Sequence, residues 1–292
     1  MNEKNLIEYY NKFNEDKRLT RRHGIVEYET AMKYIRKYLK KIDSPKICDI
    51  GAGTGKYSIA LANEGYDVTA VELVKHNLMT LKNNSNKVTA ILGNATNLKM
   101  LKDNTFDMVL LFGPMYHLIS DDEKIKALNE AKRITKENGY ILISYYMNEY
   151  ALIKHGFIDR NIKDSLKDNL IDKNFHITPK DDDLYSMVRL EDINKYKKVT
   201  NLKRVKILAQ DGPTDYIRRS INELDEEEFN LYLKYHLSIC ERKELLGASS
   251  HILDILKKWQ NLFCHFLFYF VFSFVLSVIW ALHSLSSCSS SM

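Results

Sequence analysis

Residues 45–57, PKICDIGAGTGKY, join an apolar run to a helical pattern through a turn built on glycines. Ile47 to Ile50 reads as a buried strand with one acid, Asp49, near its end. Gly51, Gly53 and Gly55 follow on alternate residues, with Ala52 and Thr54 between them. Tyr57, Ile59, Ala60 and Leu61 then recur as on a helix. A strand that turns directly into a helix on glycines lets the backbone approach a ligand closely, because glycine has no Cβ and tolerates positive φ. The spacing restricts the ligand. A dinucleotide fingerprint requires G-x-G-x-x-G, and here Lys56 stands where its third glycine belongs. A phosphate-binding P-loop requires Gly-Lys followed by Ser or Thr, and Tyr57 follows Lys56. An acid before the first glycine suits a ligand carrying an amino group rather than a phosphate.

Between residues 46 and 146, short apolar runs alternate with amphipathic segments. The expected strands are 46–50, 67–72, 87–92, 106–112 and 139–146, and the alternation implies a parallel sheet with helices on both faces. Ser120-Asp121-Asp122-Glu123 is a capping box, and Ile125, Leu128 and Ala131 form the inward stripe of the helix it opens. Gly65 and Gly139 are expected as C-terminal helix caps. Further on, 184–190 and 202–209 are read as strands, 191–198 as a helix and 251–256 as the last strand. Residues 147–182 and 213–245 read as helical insertions, the second carrying two helices. Residues 1–40 form a helical cap in which Tyr28, Met32, Ile35 and Leu39 share one face.

The glycine turn resembles motif I of the class I S-adenosylmethionine-dependent methyltransferases. A second acid, Glu72, ends the expected second strand, where it would accept hydrogen bonds from ribose hydroxyls. The resemblance covers roughly residues 40–258 and is strongest over 46–118. It implies an α/β fold with a doubly wound, mostly parallel seven-stranded sheet, Rossmann-like, here with helical insertions. It implies S-adenosyl-L-methionine as cofactor, held by Asp49, Gly51, Ala52, Gly53, Thr54, Gly55, Glu72, Leu73, Asn94, Ala95 and Phe112. Asn94 belongs to a turn that contacts the adenine in that family; Gly-Asn is also ordinary turn chemistry. The loop Phe112-Gly113-Pro114-Met115-Tyr116-His117-Leu118 should meet both the sulfonium and the methyl acceptor. Tyr116 and His117 are therefore the catalytic candidates, with His117 the evident acid–base group. A histidine capping the start of a helix is the competing reading.

The same loop lacks the Asn/Asp-Pro-Pro-aromatic run of amino-methylating base enzymes and the Pro-Cys of cytosine C5 enzymes. Net charge is only +5, with 43 basic residues interleaved among 38 acids, so no concentrated basic face marks a nucleic-acid partner. The expected acceptor is a small molecule bearing a nucleophilic O, N or S. The alternatives are methylation of RNA or protein, and a non-catalytic S-adenosylmethionine-binding module. No obligate protein partner is expected. The four cysteines show neither paired nor metal-ligand spacing, so no metal site is expected, and Cys48 reads as core filler. Asp181-Asp182-Asp183 reads as a solvated turn, and Lys203, Arg204 and Lys206 as a solvent-facing basic cluster on an edge strand. Tyr9 and Tyr10 suit either a lid over the pocket or the core.

The last residues depart from the rest. Leu262 to Leu282 contains no Asp, Glu, Lys or Arg, and its length matches a helix crossing about 30 Å of hydrocarbon. With Lys257 and Lys258 before it, residues 259–292 read as a tail anchor keeping the main domain cytoplasmic. They read equally as an extension foreign to the fold.

Overall fold

Ile47, Cys48 and Ile50, then Val68, Ala70 and Val71, are buried whichever face of the strand they point to, as strands covered by helices on both sides must be. The computed structural model describes residues 3–12 and 19–259. Helices α1 (Glu3–Lys12) and α2 (Arg22–Leu39) precede strand β1 (Lys46–Ile50). There follow α3 (Lys56–Asn63), β2 (Asp67–Glu72), α4 (Lys75–Asn84), β3 (Thr89–Leu92) and β4 (Phe106–Leu111). Next come the one-turn α5 (Pro114–His117), α6 (Asp121–Ile134) and β5 (Thr135–Tyr146). The first insertion holds α7 (Asn148–Ala151), a π-helical turn (Leu152–Ile158) and α8 (Ile162–Lys167). Then α9 (Leu190–Val199) leads into β6 (Lys203–Ala209), and α10 (Arg218–Glu223) and α11 (Glu226–Ile239) precede β7 (His251–Lys257).

The seven strands lie in the order β3-β2-β1-β4-β5-β7-β6. All neighbours from β3 to β5 pair in parallel, while β7 runs antiparallel to both β5 and β6. This is the α/β, doubly wound, mostly parallel sheet expected from the sequence. The chain reverses its winding at β1, so the carboxyl ends of β1, β2 and β4 open onto one crevice, the position where such sheets bind ligands. One core layer lies under α2 and α3 and holds Met32, Ile35, Leu39 and Leu61; the other lies under α6 and α9 and holds Leu128, Ala131, Ile193 and Tyr196. The described residues up to Lys258 form one compact unit.

Several local expectations hold. Ser120 and Glu123 form the reciprocal capping box that starts α6, and Gly65, at φ 93°, follows the end of α3. Cys48 is buried in the core. Others need correction. Residues 184–190 are not a strand. The segment crosses the carboxyl end of β5 as an extended strap, with Ser186 N donating to Tyr116 O and Val188 N to Tyr146 O, and only a single bridge links it to Met147. Gly139 is not a cap. Helix α6 stops at Thr135, whose hydroxyl donates to Ala131 O at 2.7 Å. Gly139 lies inside β5, where a Cβ would come within 2.9 Å of Lys136 O and 3.0 Å of Asp107 O. Arg204 does not face solvent. It makes a bidentate pair with Asp254 at 2.7 and 2.8 Å, and Asp254 is 0% exposed.

The tail at 262–282 and residues 13–18 lie outside the described residues. Among the described residues no helix is long and apolar enough to cross a membrane.

Candidate functional site

A pocket of about 920 Å³ opens at the carboxyl ends of the parallel strands. Its walls include all thirteen residues singled out from the sequence. Gly51 to Gly55 form its floor with Asp49 beneath, and Glu72 and Leu73 lie at the end of β2. Asn94 and Ala95 follow β3, and Phe112, Tyr116 and His117 follow β4.

The glycine turn is required by geometry. Gly51, Gly53 and Gly55 all have positive φ, at 73°, 57° and 95°. A Cβ on Gly51 would lie 2.5 Å from Cδ of Pro114, and one on Gly113 would lie 3.1 Å from Gly51 O. The turns after β1 and β4 therefore touch backbone to backbone, which leaves the space above them for a ligand.

Glu72 fastens this turn. Its Oε2 accepts from Gly53 N at 2.8 Å and its Oε1 from Val74 N at 2.8 Å, with the side chain 5% exposed. A carboxylate has about four lone-pair sites, so the group as a whole is an acceptor for hydroxyl donors. Asp49 is 2% exposed, and Ser58 Oγ donates to its Oδ2 at 2.6 Å. Burial raises its pKa to about 6; Glu72 adds to the rise and Ser58 opposes it. A buried carboxyl poised this way is stabilised in its charged form by a cation beside it. Asn94 spends its amide locally. Its Oδ1 accepts from Thr96 N and Oγ1, and its Nδ2 donates to Glu3 Oε1 at 2.5 Å.

The loop after β4 is equally tied down. Tyr116 donates its hydroxyl to Ser144 Oγ at 2.6 Å, which donates on to Gln210 Oε1 at 2.6 Å. His117 Nδ1 lies 2.7 Å from Leu184 O, and its Nε2 lies 2.8 Å from Tyr10 OH. A carbonyl only accepts, so Nδ1 carries the proton and the Nε2 of the neutral ring accepts from Tyr10. His117 thus clasps the strap at 184–188 and helix α1 over the pocket. Tyr9 and Tyr10 line that cover, and Tyr185 OH donates to Tyr9 OH at 3.2 Å.

Sequence reasoning missed the opposite wall, formed by Glu27, Tyr146, Asp211 and His251. Asp211 Oδ2 accepts from His251 Nδ1 at 2.7 Å, and its Oδ1 accepts from His251 N and Ser249 Oγ. Glu27 Oε2 lies 3.9 Å from the same imidazole nitrogen. The rings of Tyr146 and Tyr116 each lie 5.4 Å from that of His251. These residues come from α2, β5, the end of β6 and the start of β7. Only the antiparallel register Ala209↔Ile252 brings Asp211 and His251 together. No local spacing announces such a pair. Among the described residues, Glu27, Asp211 and His251 also form a group of potential metal ligands, whereas Asp181-Asp182-Asp183 is a largely exposed turn.

Residues 48–143 match the family described as a methyltransferase domain. With the sheet order, this match shows that the region carries a methyltransferase domain of the class I S-adenosylmethionine-dependent kind. A demethylmenaquinone methyltransferase of Paenarthrobacter aurescens is 34% identical over 101 residues, which cover 35% of this chain and 38% of the relative. The corresponding protein of Renibacterium salmoninarum is 31% identical over 105 residues, 36% of this chain and 43% of its own length. The chain therefore spans less than half the length of these curated relatives. A methyltransferase from Methanosarcina mazei superposes with a TM-score of 0.53 over 77% of this chain and 98% of its own, at 14% identity. One from Thermotoga maritima gives 0.53 over 87% and 99%, at 18% identity. At such identities the likeness is one of fold alone.

Proposed function

We propose that this chain transfers a methyl group from S-adenosylmethionine to a nucleophilic atom of a small molecule. The observation that carries the reading is the glycine turn locked to Glu72 at the switch point of the sheet, facing a pocket lined by other parts of the same chain. The residues fit the cofactor. Positive-φ glycines hold the backbone clear of the space above them, Glu72 offers paired carboxylate lone pairs to ribose hydroxyls, and Asp49 offers a buried acid to an ammonium. Leu73 and Ala95 supply apolar walls beside Asn94, on the side assigned to the adenine. When bound, the cofactor supplies a methyl group on a sulfonium that is already an activated leaving group.

The protein's contribution is then alignment and exclusion of water. Phe112 stands at the end of β4 with its ring 5.0 Å from that of Tyr57, an aromatic surface suited to a positive sulfur. Helix α1 covers the pocket through Tyr9 and Tyr10. His155 of the first insertion and Asp215 and Arg218 of the second also reach its lining. Walls built from both insertions favour a small acceptor over a macromolecule, and the names of the two curated relatives agree with a small acceptor. The test is a labelled-methyl transfer screen of the full-length chain against cell metabolites and bulk RNA. Label appearing in low-mass products supports the reading. Label confined to RNA or protein overturns the small-molecule assignment.

A further inference from the structure

We propose that Lys124 is a positioning residue: its buried ammonium pins the strap at 184–188 to the loop after β4, and so fixes the acceptor side of the pocket against the methyl donor. The role rests on the methyl-transfer reading above and adds a residue that stands behind the pocket wall. Lys124 lies one turn into α6 and is 1% exposed. Its Nζ donates to Leu118 O, to Ile119 O at 3.2 Å and to Ser186 Oγ at 2.8 Å. An ammonium has three N–H donors, and here each has its own acceptor. Two of the acceptors are carbonyls at the end of the loop that brings Phe112, Tyr116 and His117 to the pocket. The third belongs to the strap.

The strap needs such a tie. Between α8 and α9 the chain forms turns and isolated bridges but no helix and no strand. A segment without a ladder is held by individual contacts and opens at low cost when they are lost. Within the strap the side chains alternate. Ser186 and Val188, each 3% exposed, face the protein, while Tyr185 and Met187 line the pocket. Main-chain bonds to Tyr116 O and Tyr146 O hold the strap's backbone. Lys124 anchors the Ser186 side chain between them, so a slip of the strap that moves Tyr185 and Met187 must break that bond.

Energetics separate this role from a merely structural one. An ammonium buried against neutral oxygens forfeits its hydration, and an apolar side chain that packs well in such a place is often as stable. Asp121 and Glu123 of α6 and Asp192 of α9 favour the charge through space. Asp121 is itself bonded to Lys195 and Tyr196. The costly group therefore stands where two independent segments of the pocket meet. Spacing matters most there, since a displacement of about 1 Å at the reacting atoms costs about a hundredfold in rate. The glycine turn is fastened by Glu72 instead, so cofactor binding should not register the loss of the pin.

The test compares the full-length wild type with Lys124→Met, Ser186→Ala and the double variant. Ser186→Ala removes only the strap's end of the tie and leaves both carbonyls paired, so it serves even if Lys124→Met fails to fold. Methyl-labelled S-adenosylmethionine is the donor and a low-mass metabolite extract of cells is the acceptor pool. Calorimetry gives cofactor affinity, and hydrogen exchange of residues 183–190 reports strap opening. Lys124→Met should lower the limiting rate at least about tenfold, with KM and Kd for S-adenosylmethionine within about twofold of wild type. Ser186→Ala should lose about threefold or more, and the double variant no more than Lys124→Met alone. Strap amides should exchange faster in each variant, while those of residues 50–57 stay as in the wild type. A limiting rate unchanged in both single variants, or losses that add in the double variant, overturns the positioning role. So does a loss of cofactor affinity as large as the loss of rate, the mark of a merely structural lysine. A wild type that transfers no label removes the methyl-transfer reading and this role with it. Faster strap exchange in the variants then tells that failure from a failure of the pin.

Discussion

Asp49 offers a separation between what stabilises the fold and what serves the ligand. It is buried, among the described residues no basic side chain is paired with it, and its pKa rises from 3.8 to about 6. Because the folded-state value lies above the unfolded one, the folded protein holds this proton more tightly. Stability is therefore lost as pH climbs from about 4 to about 6, and the loss is complete above that. At about 1.4 kcal/mol per pH unit, the rise corresponds to about 3 kcal/mol. Asp49→Asn keeps the shape and can still accept from Ser58, but it carries no charge to desolvate. The variant should match the wild type near pH 4 and exceed it by about 2–3 kcal/mol at pH 7.5, in the absence of cofactor. Urea denaturation of both proteins at the two pH values measures the gap. The same variant should bind S-adenosylmethionine more weakly, since the amide cannot neutralise an ammonium. A gap that is equal at both pH values, or a wild type more stable than the variant at pH 7.5, would refute the assignment of a strained buried acid.

Three other outcomes follow from packing and charge. Gly51→Ala puts a Cβ 2.5 Å from Pro114 Cδ at a φ of 73°, so a loss of about 2–4 kcal/mol is expected in denaturant titration, with weakened cofactor binding. Arg204→Met strands the fully buried Asp254 and should cost about 3–5 kcal/mol, most of it recovered by adding Asp254→Leu. Lys124, buried against Leu118 O and Ser186 Oγ, has its pKa lowered from 10.5 to about 8 by burial. The unfolded chain therefore binds more protons between those values, so wild-type stability relative to Lys124→Met should rise as pH goes from 8 to 10.

The half of the pocket built on the glycine turn was legible because it is local. Asp49, the three glycines and Glu72 lie within two strands and one turn, and their chemistry demands residue types that stand out. The sheet followed from the alternation of apolar runs. The other half was not legible because tertiary register builds it. Asp211 and His251 are 40 positions apart and meet only where β6 and β7 pair. The strap at 184–188 shows the same limit. Its apolar residues suit a strand, yet it crosses the end of β5, bonding to Tyr116 O and Tyr146 O. Arg204 looked solvent-facing beside Lys203 and Lys206, because Asp254 on the neighbouring strand is invisible to local composition. Gly139 looked like a cap because glycine serves both helix ends and close strand packing.

The most direct test of the account is a calorimetric titration of the full-length chain with S-adenosylmethionine, repeated on Glu72→Ala after circular dichroism shows an intact fold. The wild type should bind one equivalent, and the variant should lose at least about tenfold in affinity, the order expected when a charged acceptor is removed. Equal affinity in the two proteins, or no binding heat from the wild type, would contradict a cofactor held between the glycine turn and the acid at the end of β2.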